Sequence, residues 1–70
     1  MLKIIYNNEI IGEVVTNHSM TNEQAIEYGL GLTSITDQEE LKEMYDNNKD
    51  YVFINDNGDY ELDYENIEVI

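Results

Sequence analysis

The residues best suited to chemistry in this 70-residue chain are its carboxylates, since sixteen Asp and Glu side chains stand against three lysines. The segment DYELDYE places an acid at every second position: Asp59, Glu61, Asp63 and Glu65. Paired carboxylates can act as general acid and base, but they need contrasting environments on either side of a substrate cleft. A domain of this size has little room for such a cleft. We therefore expect a binding protein and not an enzyme.

Other catalytic and metal-binding arrangements fit the sequence poorly. His18 is the only histidine and adjoins Ser19, whereas the parts of a catalytic triad converge from separate elements; NHSM is predicted to be a loop whose side chains bond to nearby backbone. One histidine and no cysteine disfavour zinc. Counting back from Gly58 puts Phe53 at the first EF-hand position, which needs Asp. We expect no cofactor and no built metal site, with weak calcium binding at 46–50 or 56–59 as the alternative.

The net charge of −13 limits the class of partner. Charge of this size destabilises a small compact domain by self-repulsion, and a net charge of about 2 to 8 in magnitude already suffices for solubility. Direct binding to nucleic acid or to an anionic membrane is disfavoured, because both would repel the chain. Without cysteine, and with no long apolar stretch in its first residues, the chain is expected to be cytoplasmic.

Two hairpins are predicted from alternating β-branched and turn residues. The first joins 2–6 to 9–16 through Asn7-Asn8, so that Ile5 faces Ile10 and Ile4 faces Ile11, with Gly12 marking a bulge or a close approach. Isoleucines on both faces predict that this hairpin is central or covered on both sides.

The second hairpin turns at Asn57-Gly58, the sequence typical of a type I′ turn. Counting outward pairs Phe53 with Leu62 and Ile54 with Glu61. One face would then be aromatic and packed on the helices, and it would hold Tyr51, Phe53, Tyr60, Leu62 and Tyr64. After Glu65 the alternation changes phase, which predicts a bulge near Asn66 or a new short strand.

Two short helices are predicted between the hairpins. The first begins after Thr21, with Gln24 completing a capping box, and ends at Gly31. The second begins after Thr36 with Glu39 closing the box, and its buried stripe is predicted to be Leu41, Met44 and Tyr45. The whole chain, residues 1–70, is thus expected to be a single α+β domain in the order ββααββ, with both helices on one face of an antiparallel sheet.

Two rows of acids remain for the surface. The second helix contributes one row and the last hairpin the other: Glu39, Glu40, Glu43, Asp46, Asp59, Glu61, Asp63 and Glu65. Alternate side chains on a strand repeat at roughly 6.6–6.8 Å, so the hairpin row would be a regular line of negative charge, broadly like the phosphates of one nucleic-acid strand. We predict that these eight acids bind arginines and lysines of a basic partner.

In size, acidity and arrangement, the chain resembles the small acidic proteins of bacteriophages and mobile elements that inhibit host defence nucleases, the anti-CRISPR and antirestriction DNA mimics. The segments that carry this resemblance are QEELKEMYD and DYELDYE. It implies a non-enzymatic inhibitor that occupies the nucleic-acid site of a CRISPR or restriction nuclease in the cytoplasm of an infected or host bacterium.

An antitoxin-like or virion-assembly module is the alternative. Such a protein would bind through apolar surface, and its charge would serve solubility. The sequence leaves both a monomer and a homodimer open, since an exposed strand edge can pair two copies.

Overall fold

Two antiparallel sheets and two helices form the fold in the computed structural model, which describes residues 1–16 and 18–70. The elements in chain order are β1 (Leu2–Tyr6), β2 (Glu9–Val14), α1 (Asn22–Leu30), α2 (Gln38–Asp46), β3 (Val52–Ile54), β4 (Tyr60–Leu62), a 3-10 turn (Tyr64–Asn66) and β5 (Ile67–Val69). This is the predicted α+β class and ββααββ order. It is followed by a new short strand, which was one of the two alternatives predicted after Glu65. Asn17, part of the predicted NHSM loop, lies outside the described residues.

Sheet A has the strand order β2-β1-β5 and begins with the predicted hairpin. Asn7 and Asn8 both adopt positive φ, 49° and 66°, and Ile5 pairs with Ile10 as expected. The expected pairing of Ile4 with Ile11 is wrong: Ile4 pairs with Gly12, because the register shifts by one residue between Ile4 and Ile5. The shift is a β-bulge that leaves Ile11 as the extra residue.

Gly12 also provides the predicted close approach, between β2 and α1. A Cβ atom at this position would lie 2.4 Å from the carbonyl oxygen of Gly29, so only glycine lets the helix pack directly on the strand. β1 is central, as expected, but the hairpin is covered on one face only. Ile4 is fully buried beneath α1, whereas Ile10 on the outer face is 52% exposed.

The capping of α1 is as predicted. Thr21 Oγ1 accepts a hydrogen bond from the Gln24 N–H at 3.1 Å, and Gln24 Oε1 accepts one from the Thr21 N–H at 3.0 Å. The helix ends at Gly31, which has a φ of 71°, and the Leu32 N–H donates back to the Glu27 carbonyl at 2.8 Å. These bonds satisfy the first and last polar groups of the helix.

The capping of α2 differs from the prediction by one residue. Asp37, not Thr36, is the N-cap, and its carboxylate accepts a hydrogen bond from the Glu40 N–H at 3.0 Å. Thr36 instead donates its own N–H to Ser34 Oγ at 3.2 Å, in a local turn before the helix. A carboxylate is the stronger acceptor at the positive end of a helix, which explains why Asp37 prevails and no box with Glu39 forms.

The predicted buried stripe of α2 is only partly correct. Leu41 is completely buried and Met44 half-buried, but Tyr45 is 41% exposed. Its ring lies against that of Tyr60 on β4, with centroids 5.4 Å apart. The side chain of Gln38 adds two bonds to the same strand, donating to the Tyr60 carbonyl at 2.8 Å and accepting from its N–H at 2.7 Å. α2 therefore packs on sheet B, and Gln38 occupies the outer edge of β4.

Sheet B is the second predicted hairpin, but its turn and register are not those expected. Of the two turn residues only Gly58 has a positive φ, 81°, whereas a type I′ turn requires it at both. The Asn55 side chain accepts hydrogen bonds from the backbone N–H groups of Asn57 and Asp59, each at 3.0 Å. This side-chain bonding stabilises a three-residue loop in place of the two-residue turn.

The longer loop moves the pairing of β3 and β4 by one residue. Phe53 pairs with Glu61 instead of Leu62, and Val52 pairs with Leu62. Since a one-residue slip exchanges the faces of a strand, Val52 is buried while Phe53 is 38% exposed. The predicted aromatic face is therefore wrong for Phe53, and also for Tyr64, which lies beyond β4 and is 42% exposed.

The core lies where α1 on sheet A meets α2 on sheet B. Its three largest fully buried side chains are one from a strand and one from each helix: Ile4, Ile26 and Leu41. Val52, Leu62 and Ile67 add residues from β3, β4 and β5. A single apolar cluster thus joins the two sheets, and the acids are left to the surface.

Candidate interaction surface

The sixteen acids divide by exposure into two groups with different roles. Twelve are exposed, and the four half-buried ones are Glu27, Asp37, Glu40 and Asp63. Each of the four accepts a hydrogen bond from the protein itself. These four stabilise the fold. The other twelve are exposed to solvent, although Asp46 pairs with Lys42 and Glu61 accepts a hydrogen bond from Asn55.

Two of these structural acids hold the connection between the helices. Glu27 Oε2 accepts a hydrogen bond from the Ile35 N–H at 3.2 Å. Glu40 Oε1 accepts one from the Thr33 N–H at 2.8 Å, and Glu40 Oε2 lies 3.3 Å from Thr33 Oγ1. Glu40, predicted to face a partner, is thus directed toward its own chain, where it satisfies the backbone N–H and the hydroxyl of Thr33 in an irregular segment.

Asp63 is likewise engaged within the fold. Its Oδ2 accepts a hydrogen bond from the Tyr6 hydroxyl at 2.8 Å, and both carboxylate oxygens accept from Asn66 Nδ2, at 2.9 and 3.0 Å. The hydrogen bond to this carboxylate raises the pKa of Tyr6 above its ordinary value of 10.0, because it stabilises the protonated phenol. Asp63 joins the last hairpin to β1 instead of pointing outward.

The expected straight line of charge along the last hairpin does not form. Of the four acids only Glu61 lies within a strand, since β4 spans only Tyr60–Leu62. Asp59 belongs to the preceding loop, Asp63 turns inward, and Glu65 lies in the 3-10 turn. The alternation in the sequence runs through three different backbone conformations, so the strand spacing does not apply to it.

The acidic row of α2 is present, with Glu39, Glu43 and Asp46 exposed. Asp46 Oδ2 lies 2.7 Å from Lys42 Nζ, the single ion pair among the residues that the structure describes. This hydrogen bond and charge raise the pKa of Lys42 above its ordinary value. An exposed pair of this kind adds little stability, and it leaves Glu39 and Glu43 as the unpaired part of the row.

The exposed acids of α2 face away from Glu61, the one acid of the hairpin row that lies within β4. The buried side of α2, which carries Leu41, packs on the face of sheet B formed by Val52 and Leu62. Glu39 and Glu43 lie on the opposite side of the helix, since positions two residues from Leu41 are turned about 160–200° around the axis. Glu61 lies on the other face of sheet B. A partner would contact either the acids of α2 or Glu61, or it would wrap around the domain to reach both.

A shallow hollow of about 420 Å³ lies on the outer face of sheet B. Its lining residues are Phe53, Glu61, Leu62, Asp63, Tyr64 and Glu65. The register shift creates this arrangement, because it brings Phe53 beside Glu61 on the outer face. Two exposed aromatic rings thus stand among acids that were predicted to bind a partner, which the sequence pattern alone did not indicate.

A second hollow of about 280 Å³ adjoins the first and contains one acid that was missed from sequence, Glu68. Glu65 lines both, and the second also includes Glu68 and Ile5. Glu68 pairs with Ile5 across β5 and β1, on the exposed face of sheet A. The alternation of Ile67, Glu68 and Val69 would have identified Glu68, had β5 been recognised as part of the sheet.

One apolar hollow of about 250 Å³ lies at the other end of sheet A, and Val15, Met20 and Tyr28 are among its lining residues. Val15 is 84% exposed and Tyr28 71%. His18, whose backbone N–H donates to Thr16 Oγ1 at 3.0 Å, also lines it. This is the part of the surface that would suit the alternative, apolar mode of binding.

Among residues 1–16 and 18–70, no group of three or more His, Asp or Glu side chains is arranged to hold a metal ion. No helix in the same ranges is both long and apolar enough to cross a bilayer.

Comparison with known proteins adds no relative: the sequence matches no protein-family model and no curated protein, and the structure matches no solved structure.

Proposed function

We propose that this protein is a non-enzymatic inhibitor that presents acidic surface to a basic, nucleic-acid-binding protein and blocks the site where that protein binds DNA or RNA. The partner class that fits the resemblance noted above is a CRISPR or restriction nuclease in the cytoplasm of an infected or host bacterium. The observation that carries the proposal is the excess of exposed acid: twelve exposed carboxylates, with one ion pair among the described residues.

The distribution of the acids supports this proposal in two ways. The four half-buried carboxylates are satisfied by donors of the fold itself. Among the exposed acids, the described side-chain contacts engage Asp46, with Lys42, and Glu61, with Asn55, so most of the exposed charge is left without a described structural role. Self-repulsion among the rest opposes folding, and a cationic cleft would relieve it on binding. Steering by the net charge would also accelerate encounter with such a cleft.

Of the eight contact residues proposed from sequence, we keep those whose side chains are exposed to solvent. Glu40 and Asp63 are occupied within the fold, as described above. The remaining six are Glu39, Glu43, Asp46, Asp59, Glu61 and Glu65, of which Asp46 would have to leave Lys42 to bind a partner. Glu68 joins them through the hollow that it shares with Glu65.

The test is competition for the partner. The protein is used to capture binding proteins from a bacterial lysate, and each captured protein is challenged with heparin and with DNA. A phosphate mimic is displaced by both, and its binding weakens steeply between low and physiological salt. A captured protein that retains this chain at saturating DNA, with affinity independent of salt, would contradict the proposal.

Charge-reversal variants locate the contact. Glu61→Lys with Glu65→Lys alters the hairpin row, and Glu39→Lys with Glu43→Lys alters the helix row. Glu9→Lys with Glu23→Lys is the matched control, because both positions are exposed and lie in neither row. All three variants change the net charge equally, so a larger loss of binding in one row reports contact and not overall charge. Equal losses of binding in all three variants would show that only the overall charge matters and that neither row makes a specific contact.

The second candidate function is the antitoxin-like or virion-assembly module, and the hollow that contains Val15 and Tyr28 is the observation that favours it. In that case Tyr28→Ser should abolish capture, while the charge reversals and added salt should have little effect.

A further inference from the structure

The hollow on the outer face of sheet B combines aromatic rings with carboxylates. Phe53 and Tyr64 expose 38% and 42% of their surface, and Glu61 and Glu65 line the same hollow. The faces of aromatic rings attract cations, and nearby carboxylates pair with them. The side chain that satisfies both kinds of group is a cation with a flat, weakly hydrated head.

The described part of the chain does not supply that cation. No lysine lines the hollow, and Lys42 is paired with Asp46 on α2. Glu61 Oε1 accepts a hydrogen bond from Asn55 Nδ2 at 3.2 Å, which leaves its second oxygen for a partner. The hollow is therefore negative, partly apolar and open to solvent.

We infer that this hollow holds an arginine side chain of a protein partner. The guanidinium group would stack on Phe53 or Tyr64 and donate hydrogen bonds to Glu61 and Glu65. Arginine suits these groups better than lysine does, because its planar head stacks on rings, binds carboxylates through two N–H groups and is more easily dehydrated. The inference rests on the proposed function for the partner's identity, but its chemistry does not require a nucleic-acid-binding partner.

A second copy of this chain fits the hollow poorly. The sequence contains no arginine, and a copy that bears a net charge of −13 would be repelled from an acidic surface. A purely apolar side chain would cover the rings but also desolvate the carboxylates without compensation. Charge complementarity thus selects an arginine from another protein.

The experiment is an NMR titration of the full chain with N-acetyl-arginine amide, and with N-acetyl-citrulline amide as the neutral control of the same shape. Arginine is expected to shift the amide signals around Phe53, Glu61 and Tyr64, with citrulline shifting them little. Phe53→Leu, which keeps an apolar side chain but removes the ring, should weaken binding by roughly two- to fivefold. Glu9→Gln with Glu23→Gln is the matched control and should leave the shifts unchanged.

The inference is overturned if arginine and citrulline shift the same signals equally, if the shifts spread evenly over all exposed acids, or if Phe53→Leu binds as the wild type does. A far-ultraviolet spectrum confirms that each variant is folded. The result is separable from the proposed function: arginine binding in the hollow together with failure of DNA competition would retain the inference and reject the nucleic-acid mimic. Successful DNA competition without arginine binding in the hollow would reject the inference and retain the nucleic-acid mimic.

Discussion

The Tyr6 hydroxyl donates a hydrogen bond of 2.8 Å to Asp63 Oδ2, and so links two residues 57 positions apart in the chain. Tyr6 ends β1 of sheet A, and Asp63 follows β4 of sheet B. The ring of Tyr6 also meets that of Tyr51 edge to face, with centroids 5.9 Å apart. One acid of the DYELDYE segment therefore holds the two sheets together, although its position in the sequence suggests a surface role.

Removal of this hydroxyl is expected to weaken the joint between the sheets. Tyr6→Phe leaves the Asp63 carboxylate with Asn66 as its side-chain donor, and loss of one partner of a half-buried polar pair is destabilising. We expect a thermal midpoint several degrees lower, measured by circular dichroism. Tyr64→Phe is the matched control, since the Tyr64 hydroxyl has no hydrogen bond among the described residues. Equal midpoints for both variants would show that the Tyr6 bond contributes nothing.

Alkaline pH is expected to destabilise the fold through two tyrosines. The hydrogen bond to Asp63 raises the pKa of Tyr6, and burial raises the pKa of Tyr51, both above the ordinary 10.0. A pKa raised on folding means that the neutral phenol stabilises the native state below pH 10.0 and that this stabilisation is lost as the pH rises further. Urea unfolding at a series of pH values from about 8 to 11 measures the loss. Tyr6→Phe should show a smaller decline than the wild type, and a parallel decline would refute the role of Tyr6.

Much of the fold follows from local sequence signals. The capping box of Thr21 and Gln24, the left-handed Gly31 and the Asn7-Asn8 turn are each determined by contacts within a few residues. Two of the wrong predictions concern places where two local solutions compete. Asp37 displaces Thr36 as the cap of α2, and the Asn55 side chain replaces a two-residue turn by a longer loop. Two neighbouring side chains that can accept hydrogen bonds from nearby backbone N–H groups differ little in free energy. A sequence pattern therefore does not show which of them forms the bond.

The candidate surface was less predictable than the fold, because exposure of an acid depends on distant partners. Glu40 and Asp63 looked equivalent to their neighbours in sequence, but one meets the Thr33 backbone and the other meets Tyr6. The hollow around Phe53 depends on a register that a single loop residue changes. Sequence spacing therefore identified acidic segments correctly as surface features but did not identify which side chains remain free.

The observed register of sheet B and the register expected from sequence predict opposite effects on stability for substitutions at Val52 and Phe53. Val52 is 4% exposed and Phe53 38%, so Val52→Thr buries a hydroxyl group while Phe53→Tyr adds one near solvent. We expect Val52→Thr to reduce the free energy of unfolding by about 1–3 kcal/mol and Phe53→Tyr to change it by no more than about 0.5 kcal/mol. Chemical denaturation measures both. The register expected from a type I′ turn would bury Phe53 and expose Val52, and it therefore predicts the larger loss of stability for Phe53→Tyr. That result would show the observed pairing of β3 with β4 to be wrong.

Salt should stabilise this protein, because its main electrostatic term is repulsion. The molecule measures 37 × 24 × 19 Å, and the Debye length is about 30 Å at 0.01 M salt but about 8 Å at 0.15 M. At low salt each acid is therefore repelled by nearly all the others, whereas at physiological salt only neighbours interact. We expect the thermal midpoint to rise with sodium chloride over this range and then to level off.

The variant Glu61→Lys with Glu65→Lys should start from a higher midpoint and rise less, because it carries less charge to screen. If instead the wild-type midpoint stays constant, self-repulsion is not a cost that a cationic partner could relieve, and the energetic argument for a phosphate mimic fails with it.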